Sequence, residues 1–170
     1  KYNHEGGLEV LAKTTKVLES QSITFWVFAP GMPAELEFSK NTLVDRNYYP
    51  PSTVARIQSA CSITLGQLAK HERLNRTIPH KAYEAAFLGK AYLTGRNQGI
   101  LEIFEEEKEI SCFNPGDSTD LANKILEFDN DGNPSAALSS TTTSLTTSII
   151  HHPSSIGSYP LELMPVCTNV

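Results

Sequence analysis

Basic residues are missing from the last quarter of this 170-residue chain: after Lys124 no lysine or arginine occurs. Over the whole length, 14 Lys and Arg stand against 19 Asp and Glu, a net charge of −5. With no basic run to form a patch, that balance argues against nucleic acid as a partner. Cysteine is scarce as well. Cys61, Cys112 and Cys167 are an odd number at wide spacing, which fits neither a disulfide framework nor a zinc site. Cys61 and Cys112 read instead as small buried apolar residues in strands, in a reducing, cytoplasmic setting. No apolar run approaches the roughly 18 residues of a membrane span. No leader sequence opens the chain, which begins in mid-pattern at Lys1-Tyr2 and is expected to be a fragment. G-x-S-x-G, Walker and H-E-x-x-H motifs are all missing. Aligning Gly132 to the glycine of a calcium loop puts Leu138 where a glutamate is needed, so that loop is excluded. His151-His152 lack partner ligands, and Asn75-Arg76-Thr77 reads as a chance sequon.

The apolar content, 39%, suffices for one globular core. In residues 7–19, Leu8, Leu11, Ala12, Thr15 and Leu18 recur at helical spacing. Ile23 to Ala29 is almost continuously apolar, as a strand of a helix-covered parallel sheet is, and Pro30-Gly31-Met32-Pro33 ends it. A short strand is expected at 42–44. A helix from Ser52 or Pro51 to Ala60 follows, with Val54, Ile57 and Ala60 inward, then a strand at 61–65. Gly66 opens a charged loop to Arg76, carrying Lys70, His71, Glu72 and Arg73. Beyond a strand's carboxyl end, it ranks first among the loops for function. A helix over 98–107, a strand over 110–113 and a helix capped by Asp117 complete the pattern. Strand and helix alternate four times or more, which implies a parallel sheet with right-handed crossovers.

The chemistry gathers between Arg73 and Arg96. Thr77 reads as an N-cap and Pro79 as a first-turn residue of a helix that Gly89 ends, with a buried strand over 90–94. Free N–H groups and the positive dipole end at Thr77–His80 suit an anion. Lys81 adds a full charge where a lysine opposes the dipole, and so needs another reason to be there. Glu84 follows on the same helix. Cations with a nearby carboxylate suit a phosphate-bearing ligand with a polyhydroxyl part. Solvated basic residues and a plain Lys81–Glu84 surface pair are the simpler explanation of the same residues.

Ile78-Pro79-His80-Lys81-Ala82-Tyr83-Glu84, followed by GKAYLTGRNQGILEIF and CFNPGDSTDLANKIL, resembles the donor-binding domain of family-four retaining glycosyltransferases. These are of the GT-B type, with two Rossmann-like domains. The similarity runs from about residue 6 to about residue 130 and fits a branch with an IP-x-K-x-x-E motif. It implies an α/β fold, a Rossmann-like three-layer domain with a parallel sheet lacking its first strand, over residues 1–131. Residues 132–170 are expected to form a Ser/Thr/Pro-rich, irregular and largely disordered tail.

The resemblance implies a hexosyltransferase half that takes a nucleoside diphosphate sugar as donor, with no cofactor and no metal. Glu84 would take the ribose hydroxyls, and Lys81 with the N–H groups near Pro79 and His80 the pyrophosphate. Arg76 stands where most of the family carries the first acid of E-x7-E; it would supplement the charge or touch the sugar. Arg73, Thr77 and Ile78 complete the expected donor contacts, with Arg76, Lys81 and Glu84 as the catalytic set. Gly31, in the loop after a strand's carboxyl end, is a further donor-binding candidate, with a plain turn as the simpler reading. The usual lysine beside Gly6-Gly7 is missing. The acceptor site would belong to an N-terminal domain this chain lacks, so transfer by the chain alone is not expected. Two alternatives stand beside this one: a degenerate, non-catalytic interaction module, and half of a sugar-nucleotide epimerase.

Overall fold

A computed structural model describes residues 6–130 and 164–169. It begins with α1 (Leu8–Val17), whose buried Leu8, Leu11, Ala12 and Thr15 form the predicted stripe. Gly7 enters this helix at φ 78° and packs so close to the Ala69 amide that a side chain there would collide. Strand β1 (Ile23–Phe28) then buries Ile23, Phe25 and Val27 on one face and half-buries the alternate residues. Next come β2 (Thr42–Asp45), α2 (Pro51–Ala60) and β3 (Ile63–Leu65). A 3-10 turn at Glu72–Arg76 leads to α3 (His80–Phe87) and β4 (Ala91–Gly95), which is buried at every position. The series closes with α4 (Gln98–Leu101), β5 (Ser111–Phe113), α5 (Ser118–Asn130) and β6 (Met164–Asn169).

All six strands are parallel, in the order β2-β1-β6-β3-β4-β5. On one face, α1 and α5 pack together over a core that includes Leu8, Leu11, Phe25, Val27, Leu65, Leu93, Leu121 and Val166. Fully burying such side chains contributes about 1.5–3 kcal/mol each. The Thr14 hydroxyl donates to the Val10 carbonyl at 2.9 Å and lies 3.1 Å from that of Ser118, fitting α1 to the start of α5. On the other face, Ala82 and Ala85 of α3 meet Tyr92, Ile100, Ile110 and Cys112. The Rossmann-like three-layer architecture is therefore present.

Four expectations need correction. Residues 164–169 were expected in an irregular tail, yet they form β6, which lies between β1 and β3 at the centre of the sheet. Val166, Cys167 and Thr168 are buried there. Residues 131–163, with His151-His152 and most of the tail, lie outside the described residues. The cysteines also pair: Cys61, the C-cap of α2 rather than a strand residue, is disulfide-bonded to Cys167, leaving buried Cys112 in β5 as the free thiol. The helix expected over 98–107 stops at Leu101. Glu107 turns to φ 60°, and the Glu109 carboxylate accepts the Glu105 N–H at 2.8 Å, so the acidic run folds on itself instead of extending the helix. On α2, Ala60 faces solvent and Gln58 is the buried residue.

Among the described residues, no helix is long and apolar enough to cross a membrane, and no cluster of His, Cys, Asp and Glu could hold a metal ion.

Candidate functional site

Because the strands are parallel, the loops after β3, β4 and β5 converge at one edge of the sheet, where α/β folds hold their ligands. Backbone bonds stitch these loops together. The Gly95 N–H donates to the Gln67 carbonyl at 2.7 Å, and the Gly116 N–H to that of Leu68 at 2.8 Å. Gly116 adopts φ 84°, a backbone that favours glycine, with Lys70 Cβ 3.2 Å from where a Cβ would lie. Between the loops opens a cavity of about 500 Å³, lined by Gln67, Ala69, Lys70, His71, Glu72, Leu74, Asn75, Gly95, Arg96, Asn97 and Pro115. Buried Leu74 anchors the 3-10 turn below it. His71 Nδ1 accepts the Arg73 N–H at 3.2 Å, and Asn75 Oδ1 accepts the Gln98 N–H at 3.4 Å. Asn97 caps α4 by accepting the Ile100 N–H at 2.8 Å. Arg96 is held by the Glu106 carboxylate.

The beginning of α3 lies at the same edge, since α3 follows the β3 loop and runs back to β4. Its N-cap is Pro79 (φ −72°, ψ 140°), with no side chain capping it. Thr77 is therefore not the N-cap: it ends the 3-10 turn, and its hydroxyl donates to the Arg73 carbonyl at 2.9 Å. The N–H groups of His80 and Lys81 fall in the first turn, which has no helical acceptors for them. Lys81 is partly buried, and desolvation pushes its ammonium down to about 8, against the opposing pull of Glu84. A lysine with that proton affinity is half-charged near pH 8 and regains its proton when an anion approaches.

The structure brings Arg73, Arg76, Thr77, Ile78, Pro79, His80, Lys81 and Glu84 into one turn-and-helix unit. Arg73, Arg76, His80 and Glu84 are exposed, and Ile78 is half-buried against the second core. The Arg76 backbone is seated on α4: a Cβ on Gly99 would lie 3.0 Å from the Arg76 carbonyl carbon. Gly31, exposed at φ 79° after β1, is set apart, because β6 separates β1 from β3. None of these residues lines the cavity. Its walls come from the loop just upstream and from Gly95–Asn97. The charged loop after Gly66 was the sequence signal for the first of these. Lys70, Arg96 and Asn97, however, were not assigned ligand roles.

A profile of the glycosyl transferase-like family matches residues 12–140, from α1 past the end of α5. This chain belongs to that family. A search of the curated proteins finds no match to it. In this glycosyl transferase-like domain, the carboxyl edge combines a cavity, two cationic side chains on its wall and a helix mouth with a desolvated lysine. The central strand β6 lies outside the span that matches the family.

Proposed function

We propose that this chain is the donor-binding part of a GT-B-type, retaining glycosyltransferase that moves a hexose from a nucleoside diphosphate sugar. The observation that carries the reading is Lys81, a cation partly buried in the first turn of α3 with its proton affinity depressed to about 8. Burial disfavours a charge there, and a diphosphate would offset that cost. The first-turn N–H groups would bind the same oxygens, Glu84 the ribose hydroxyls, and Arg73 and Arg76 the sugar-phosphate side. Arg76 thus replaces the first acid of the usual motif. The adjoining cavity, with Lys70 and Arg96, is within the size range that holds small-molecule ligands.

As the glycosidic C–O bond breaks, negative charge grows on the leaving diphosphate. Fixed positive groups are most effective when they are aimed at charge that develops in the transition state. The reading needs no cofactor beyond the donor, and it leaves the acceptor to a second domain, so the chain alone binds but does not transfer. It also keeps a cytosolic setting, where a disulfide is of the redox-sensing kind rather than a permanent cross-link.

Calorimetry with UDP, GDP and ADP tests the proposal. Binding of at least one is expected, weakened roughly ten- to a hundredfold by Lys81→Ala or Glu84→Ala, as for loss of a charged hydrogen bond. Equal binding by wild type and both variants would refute it. The competing interaction-module reading rests on Tyr83 and Phe87, which are 46% and 82% exposed on α3. Concentration-dependent association without nucleotide binding would favour it.

A further inference from the structure

We propose that Cys61 and Cys167 form a redox latch, which fastens β6 in the centre of the sheet and whose reduction frees that strand. The two Cα atoms are 6.0 Å apart and the residues 106 apart in sequence, so the bond ties the end of the described chain to the junction of α2 and β3. Both cysteines are almost inaccessible, at 1% and 2% exposure.

The strand they hold is weak by composition. Pro165 has no N–H to give to a ladder. Pairing with β1 runs over all six positions of β6, but pairing with β3 covers only two, Ile63 with Val166 and Thr64 with Cys167. Val166 is the β6 residue in the main core, and Thr168 buries a hydroxyl with no protein partner. A cross-link closing a loop of this length disfavours the opened chain by on the order of a thousandfold. The reduced state is tolerable at Cys61, because the Ile57 carbonyl lies 3.2 Å from its sulfur and can accept from a thiol.

Closure balances as thiol–disulfide exchange. One cysteine, as thiolate, attacks a low-molecular-weight disulfide such as glutathione disulfide and expels one thiolate. The second cysteine then loses its proton and displaces the other small thiolate, forming the Cys61–Cys167 bond. Two protein thiols give up two protons and two electrons, and the small disulfide becomes two thiols. A dithiol reductant reverses the sequence. Since both sulfurs are buried, either reagent reaches them only when β6 opens, so the exchange rate follows strand opening.

The test uses the full chain treated with glutathione disulfide or with dithiothreitol, then read by thiol alkylation and amide exchange. After oxidation, a 61–167 cross-linked peptide and one alkylatable thiol, Cys112, are expected under denaturing conditions. Exchange in residues 164–169 should be roughly a hundredfold or more slower than in the reduced chain, with β1 following and α1 and α5 unchanged. C112S should behave as wild type, and C61S/C167S as the reduced chain with either reagent. If the double variant fails to fold, the oxidised–reduced comparison on wild type decides alone. Three free thiols after oxidation, equal exchange in both states, or a change spread evenly over α1 and α5 would each overturn the latch.

Discussion

Replacing Lys81 by methionine separates two effects that the donor reading binds together. The substitution keeps the length of the side chain and removes the charge. In the folded chain the Lys81 ammonium sits at about 8 instead of 10.5, mainly because burial strips it of water. At about 1.36 kcal/mol per pKa unit, that depression corresponds to a cost of about 3.4 kcal/mol for keeping the charge in the folded state. Part of the side chain reaches solvent, and screening reduces the figure to about 2 kcal/mol. The variant should therefore be more stable near pH 7 by about that amount, or roughly 4–8 °C in Tm for a chain of this size.

The sign gives the effect its signature. A lysine whose folded pKa lies below the unfolded one binds fewer protons when folded across the interval between them. Wild-type stability then rises with pH from about 8 to 10.5, while the variant lacks that contribution. The stability difference should be constant below pH 8 and close to nothing by pH 10.5. Binding should move the other way: the variant loses affinity for nucleoside diphosphates. Wild type should take up about half a proton per ligand bound at pH 8 and almost none at pH 6.5, read by calorimetry in buffers of different ionisation enthalpy. Denaturant melts over the same pH range complete the comparison. A pH-independent stability difference would show that Lys81 is solvated, and no proton uptake at pH 8 would show that the anion binds elsewhere. Either result refutes the argument.

Thr64→Val removes a buried hydroxyl that has no protein partner and should raise stability by about 1 kcal/mol in thermal melts; a fall would mean the hydroxyl is satisfied. Gly99→Ala pushes a methyl group to within 3.0 Å of the Arg76 backbone and should shift the 3-10 turn. Nucleotide affinity should then drop about tenfold while the circular dichroism spectrum holds, and unchanged affinity would show that the contact is irrelevant to the site. Asp117→Ala deletes the acceptor of the Thr119 and Asp120 N–H groups, at 2.9 and 3.0 Å, and should cost about 1 kcal/mol in denaturant melts. No loss there would mean that α5 is fixed by packing alone.

The legible parts of the fold were those whose signal is local and periodic. The stripe Leu8, Leu11, Ala12, Thr15 repeats at helical spacing and is buried as expected. Gly89 at φ 61° ends α3 where a left-handed cap was anticipated. What escaped depends on contacts distant in sequence. The Asn97 cap starts α4 in place, but Glu106 is drawn to Arg96 and Glu107 reverses the chain, so apolar spacing overstates the length of the helix. Thr77 has the composition of an N-cap, yet its hydroxyl serves the turn behind it. The motif around Lys81 and Glu84 was readable as a unit; the cavity beside it was not, because its walls come from two loops that only the sheet brings together. Met164–Asn169 contains a proline and no run of β-formers, so nothing in its sequence points to a central strand.

That strand also divides the molecule in a way that bears on the site. Strands β1 and β2 lie on one side of β6, and β3, β4 and β5 on the other; backbone pairing between the two sides passes through β6. The cavity, the 3-10 turn and α3 all belong to the β3–β5 side. Across the divide, the remaining attachment is side-chain packing in the main core, the α1–α5 contact with its Thr14–Ser118 hydrogen bond, and the Leu68 N–H bond to the Gly6 carbonyl at 3.3 Å. The packing is non-directional and tolerates small displacements better than a hydrogen-bonded ladder does. A closed disulfide, worth about 4.7 kcal/mol for a loop of about this length, therefore fixes the register between the halves. The loops around the cavity, stitched to one another by Gly95–Gln67 and Gly116–Leu68, would keep their own geometry without it. On the donor reading proposed above, nucleotide binding and latch closure are then separable properties of one sheet: the first would be set by the β3–β5 side, and the second by how β6 joins that side to the rest.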